Sequence, residues 1–157
     1  MALSKNLKHL IVLFTVLLSS GCQHEFINVN IIKLNSIQFS ENISYSFKER
    51  SKQYFVSESS ANVIEGSFLR MKKLEFKKRN FYGGLNVRSK EIEIIGELHY
   101  EFNLQGRQNN GIISVITQMP SNEINPQAEI SAQKKIKEEL EFLLLEKLTQ
   151  EYWLIES

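Results

Sequence analysis

Cysteine occurs once in this 157-residue chain, proline twice and glycine seven times. One thiol excludes an internal disulfide. So little proline and glycine, with no repeat or biased tract, excludes collagen-like and low-complexity architectures and leaves one packed domain. Histidine is scarce too: His9 lies in an apolar leader, His24 follows soon after it, and His99 stands in a polar row. There is no HExxH or CxxC motif and no phosphate-cradling glycine loop. With no nucleophile set beside a base, catalysis is not expected, and no cofactor is called for. An excess of one charge is also missing. Once the leader with Lys5 and Lys8 is set aside, 17 basic residues face 18 acidic ones. A neutral chain gives no reason to expect a nucleic-acid partner, so any electrostatic partner must be met by a local patch.

The leader is the first positive feature. Lys5 and Lys8 precede a charge-free run, Leu10 to Leu18, and then the small residues Ser19, Ser20 and Gly21. At ~1.5 Å per residue such a run spans about half of a ~30 Å hydrocarbon core. It is too short for a transmembrane helix and has the layout of an export signal. Cys22 follows at once, and "LLSSGCQ" resembles the lipobox of bacterial lipoproteins, with Ser19 where that motif favours leucine. The resemblance implies cleavage between Gly21 and Cys22, a diacylglyceryl group on the Cys22 thiol and acylation of the new amine. A thiolate suits that reaction because it attacks more readily than a hydroxyl near neutral pH. Residues 1–21 are therefore read as a lipoprotein signal peptide and 22–157 as a single domain. Two or three acyl chains give a stable membrane anchor. Gln23 is not the aspartate that retains many such proteins in the inner membrane, so the resemblance points to the outer membrane, with the body on its periplasmic side.

Hydrophobic periodicity predicts the rest. Phe26 to Asn35 alternates as a strand. Ser40 reads as the N-cap of a helix over "ENISYSFKERSKQYF", with Ile43, Phe47, Tyr54 and Phe55 on one face. Ser67 to Lys78 reads as a strand whose phase breaks near Lys72, the mark of a bulge. Gly83 to Asn86 is a turn. Ile92, Ile94, Leu98, Tyr100, Phe102 and Leu104 then hold even positions while Glu91, Glu93, Glu97, His99, Glu101 and Asn103 hold odd ones, which predicts a long strand with one buried and one wet face. Gln105 to Gly111 is expected as a hairpin loop and "IISVIT" as the returning strand. Asn125 and Pro126 open a closing helix in which Ile136, Leu140, Leu143, Leu144, Leu148 and Tyr152 form the buried stripe. The order β-α-β-β-β-α predicts an α+β fold: a mixed four-stranded sheet with two helices on one face.

Two polar constellations stand out. Glu97, His99 and Glu101 share a strand face at two-residue spacing, which suits either a metal or a plain solvated face. "RMKKLEFKKR" places Arg70, Lys72, Lys73, Lys77, Lys78 and Arg79 within ten residues. Cations interleaved with Leu and Phe suit phosphates borne on a lipid, and equally suit an edge strand protected by lysine.

"KEIEIIGELHYEFNLQGR" (Lys90 to Arg107), "INPQAE" (Ile124 to Glu129) and a long helix ending "LLLEKL" are similar to the LPS-assembly lipoprotein family LptE. Its elements come in the same order after a lipidated cysteine. The resemblance implies a partner, the outer-membrane β-barrel LptD, which the protein would help assemble and would plug during lipopolysaccharide transport. It also implies lipopolysaccharide binding through basic residues near the turn between the second and third sheet strands, here Lys77, Lys78, Arg79, Arg88 and Lys90. The competing expectation from another class is a periplasm-facing lipoprotein binding module, such as an auxiliary subunit of a transporter.

Overall fold

The structure, a computed structural model, describes residues 31–58, 66–82, 89–121 and 125–157, with backbone only at 89 and 90. The signal peptide, Cys22, the turn at Gly83 to Asn86 and Arg88 lie outside the described residues. In chain order the elements are β1 (Ile32–Leu34), β2 (Ser36–Phe39), α1 (Tyr45–Ser51), β3 (Phe55–Ser57), β4 (Phe68–Tyr82), β5 (Ser89–Leu104), β6 (Arg107–Pro120) and α2 (Pro126–Glu156). The main sheet runs β2-β4-β5-β6, with β2 parallel to β4 and the other pairs antiparallel. This is the expected α+β fold with a mixed four-stranded sheet. α2 lies across β5 and β6 and α1 packs beside it, so both helices cover one face. β1 and β3 add a small parallel pair that the periodicity does not predict.

The core follows from the alternation in β5. Ile92, Ile94, Leu98, Tyr100, Phe102 and Leu104 are all buried, under Leu140, Leu144, Leu145, Leu148 and Tyr152 of α2. Gly96 interrupts the apolar row for a spatial reason. A Cβ there would lie 3.2 Å from Phe76 Cε1 and 3.3 Å from Leu144 Cδ1, so the helix seats where the strand has no side chain. Gly111, the cross-strand partner of Tyr100, is covered by that tyrosine ring. A methyl group at 111 would come within 2.5 Å of the Tyr100 hydroxyl oxygen.

Four local expectations change. The strand predicted from Phe26 to Asn35 is described only from Ile31, where it gives β1, and an unpredicted strand, β2, follows it, set off because the Asn35 side chain accepts from both the amide and the hydroxyl of Ser67, each at 3.0 Å. That contact turns the chain from the β3 pairing to the β4 pairing. The first helix is shorter than predicted and is capped by Ser44, not Ser40: Phe47 N donates to Ser44 Oγ at 3.3 Å, while the Ser40 amide is spent on the Met71 carbonyl. Tyr54 and Phe55 follow the helix, and Phe55 opens β3. The hairpin loop contracts to Gln105 and Gly106, both at positive φ (54° and 78°), as a type I′ turn requires. Arg107 to Gly111 belong to β6. In α2, Leu143 is exposed and Leu145 fully buried, one turn on from Glu141, where Arg50 of α1 meets the helix. The bulge near Lys72 and the Asn125 cap with Pro126 behind it stand as predicted.

Candidate functional site

The bulge decides how the basic strand presents its charges. Before it, Arg70 and Lys72 point to the helix-free face. After it, Leu74, Phe76 and Lys78 turn toward the helices, while Glu75, Lys77 and Arg79 share the open face. β2 pairs only with Phe68 to Met71, so beyond Met71 β4 has no strand on that side among the described residues. The lysine-rich half of β4 is thus an edge.

Each cation of this half meets a carboxylate. Lys77 Nζ is 2.6 Å from Glu97 Oε2 and 3.5 Å from Glu75 Oε1. Glu75 lies directly opposite Glu97 in the ladder, a like-charge pair that would repel without the ammonium between them. Arg79 Nη1 is 3.5 Å from Glu93 Oε1, its ladder neighbour. Lys78, on the other face, reaches Glu129 at the start of α2 at 3.2 Å. Lys77 and Arg79 therefore share a face and Lys78 does not. Lys90 lies in β5, opposite the exposed end of β4, and its side chain, like all of Arg88, lies outside the described residues. Sequence reasoning missed how deeply the acids sit. Glu101 is only 5 % exposed, with Lys72 Nζ at 2.8 Å and Gln108 Nε2 donating at 2.7 Å. Opposite charges at matched positions of β4 and β5 were the available signal.

The predicted row of Glu97, His99 and Glu101 is rearranged. Glu101 belongs with Lys72 and Arg70, and Glu75 takes its place, so that donor atoms of Glu75, Glu97 and His99 lie within 4.8 Å of one another. One imidazole and two carboxylates are a donor set for a borderline divalent ion. Lys77 already occupies the space between the two carboxylates, and Lys73 Nζ holds Glu75 at 2.7 Å.

These pairs set an acid response. Hydrogen bonding to Lys72 holds the Glu101 carboxyl below its ordinary value of 4.5, and Lys73 does the same for Glu75. Because the folded state lowers these values, the stability they contribute is present above 4.5 and is lost as pH falls through the folded-state values. The urea midpoint is expected to fall on acidification below about pH 4.5. Glu101→Gln should flatten that fall, and an unchanged pH profile in the variant would refute the assignment.

No helix among the described residues is long and apolar enough to cross a membrane. No family model matches the sequence, and no curated protein matches it. Solved structures do match its fold. The rare lipoprotein B from Shewanella oneidensis superposes with a TM-score of 0.64 at 14 % identity, over 79 % of this chain and 96 % of its own. A minor lipoprotein from Acinetobacter baumannii gives 0.52 at 10 % identity, over 75 % and 87 %. Lipoprotein B from Nitrosomonas europaea gives 0.53 at 8 % identity, over 74 % and 82 %. This chain shares its fold with these three lipoproteins.

Proposed function

We propose that this chain is a non-enzymatic outer-membrane lipoprotein, anchored through Cys22 and facing the periplasm. It assembles with and plugs an LptD-type β-barrel and takes part in lipopolysaccharide transport to the cell surface. One coincidence carries the reading: a lipobox-like Cys22 behind an export signal precedes a domain whose fold matches rare lipoprotein B over nearly all of that chain. Co-purification tests it. The tagged full chain, extracted from membranes in mild detergent, is expected to bring down an LptD-type barrel, and failure to do so in membranes that contain one rejects the proposal.

Lipopolysaccharide contact would fall on the exposed end of β4, where Lys77 and Arg79 face outward beside the exposed Tyr82. Their carboxylate partners make binding an exchange, in which phosphate replaces carboxylate on an ammonium or guanidinium. Replacing Lys77, Lys78 and Arg79 by alanine is expected to weaken lipopolysaccharide binding about tenfold at low salt. Glu93→Gln with Glu97→Gln, which removes the carboxylate beside Arg79 and the nearer of the two beside Lys77, should tighten it. Unchanged affinity in both variants, with circular dichroism showing the fold retained, would rule out a role for these residues.

A further inference from the structure

β6 is the outer strand of the sheet along its whole length, and no strand covers its outward edge among the described residues. The tight turn makes Leu104 and Arg107 a hydrogen-bonded pair. Residues 107 to 119 at odd positions therefore spend their backbone groups on β5, and those at even positions, 108 to 118, direct theirs outward. Lys147 agrees with this assignment, since its Nζ donates to the outward Ser114 carbonyl oxygen at 3.1 Å. The outward residues are Gln108, Asn110, Ile112, Ser114, Ile116 and Gln118. None is charged, and Ile112 and Ile116 are each 60 % exposed.

Exposed edges are ordinarily blunted by lysine, proline or shortness. The free half of β4 obeys that rule, whereas β6 is long, uncharged from Gln108 to Met119, and apolar at its centre. Its outward row is also a palindrome about Ser114: isoleucine at 112 and 116, a side-chain amide at 110 and 118. An antiparallel copy centred on Ser114 sets Ile112 against Ile116 twice and Asn110 against Gln118 twice. Ser114 then meets its twin as a pair exchanging both backbone hydrogen bonds. No like charges meet anywhere along this register, and apolar cross-strand pairs favour it.

We propose that the β6 edge is a self-docking surface, through which two copies of this chain join antiparallel, β6 to β6, about a two-fold axis at Ser114. The interface is isologous, so it closes at two copies and does not propagate into a fibre. Lys147 must release the Ser114 carbonyl. Glu151, one turn along α2 from Lys147, borders the groove between β6 and α2 and stands at the spacing that lets its carboxylate take the ammonium. This surface lies away from the cationic end of β4 and stands apart from the barrel assignment.

Cysteine cross-linking tests the register. In a hydrogen-bonded antiparallel pair the Cα atoms are ~5.5 Å apart, within the span of a disulfide. The full chain carrying Ser114→Cys, purified in neutral detergent and mildly oxidised, is expected to give a disulfide dimer well above the wild type, whose one thiol is Cys22. Adding Ile116→Lys, at an exposed position that leaves the fold intact by circular dichroism, should abolish that dimer. Light scattering should likewise show a dimer for the wild type and a monomer for Ile116→Lys. Cross-linking no greater than the wild type, or equal with and without Ile116→Lys, overturns the proposal. So does a mixed disulfide in membranes between residue 114 and a different protein with no homodimer.

Discussion

Phe102→Ala is expected to remove about 3–5 kcal/mol of stability, the largest loss of any single truncation in this domain. Phe102 is fully buried, and three rings converge on it: Tyr100 at 5.4 Å, Tyr152 at 5.8 Å and Phe55 at 6.3 Å between centroids. Those partners come from β5 itself, α2 and β3, so the ring joins the small parallel pair, the main sheet and the closing helix. No neighbour can collapse into the vacated space without leaving another ring unpacked. Against a typical domain stability of 5–15 kcal/mol, the loss corresponds to a fall in melting temperature of about 10–20 °C. Thermal denaturation followed by circular dichroism reads it directly. A change of under 1 kcal/mol would mean that the three parts are not held through this residue.

Arg50→Met should be nearly as damaging, by a different route. Arg50 of α1 pairs with Glu141 of α2, and its guanidinium lies over the Phe142 ring at 5.1 Å. The Glu141 side chain is only 9 % exposed. Burial already pushes its carboxyl above the ordinary range, although Arg50 pulls it back. Removing the arginine strands a buried carboxylate, at a cost of about 3 kcal/mol near neutral pH. The sign of the pH dependence follows. With its folded-state value raised, Glu141 favours the folded state when protonated, and that contribution is lost as pH rises through the raised value. Part of the deficit in Arg50→Met should therefore be recovered on acidification, unlike the loss expected for the pairs around Glu101. Adding Glu141→Leu should restore most of the stability at neutral pH, and denaturant titrations of the single and double variants decide it. A double variant as unstable as the single one would show that geometry, not the stranded charge, is at fault.

The parts legible from sequence were those fixed by a long one-dimensional pattern. Even positions of β5 had to be inside, the bulge near Lys72 followed from a phase break, and Asn125-Pro126 had to open a helix. What escaped depends on neighbours distant in sequence. β2 follows β1 as a separate strand because Ser67 is there to hold Asn35 between them. Ser44 rather than Ser40 caps α1 because Ser40 is still held to β4, its amide donating to the Met71 carbonyl, and the chain turns into the helix only four residues later. Leu145 is buried and Leu143 exposed, one turn on from Glu141, where Arg50 of α1 meets the helix. Glu101 looked like a wet residue, and it is buried because the cations of β4 fold over it. The same cause altered the candidate site: a basic run that reads as a bare positive patch is, once folded, a ladder of compensated charges.

The lengths of the long elements fix a distance scale. β4 has 15 residues, and at ~3.3 Å each it extends about 50 Å. α2 has 31 residues and, at ~1.5 Å each, is nearly as long at about 46 Å. The chain enters the main sheet at one end of this lath, where Ser36 pairs with Phe68, and the paired cations lie toward the other. Phe68 and Arg79 are therefore about 36 Å apart along the strand. If the anchor proposed at Cys22 holds the chain at a bilayer near Ser36, a body standing upright carries Arg79 farther from that surface than the ~30 Å thickness of a hydrocarbon core. On that proposal the anchored end and the cationic end are the foot and head of a ruler, and an upright body sets them about 36 Å apart.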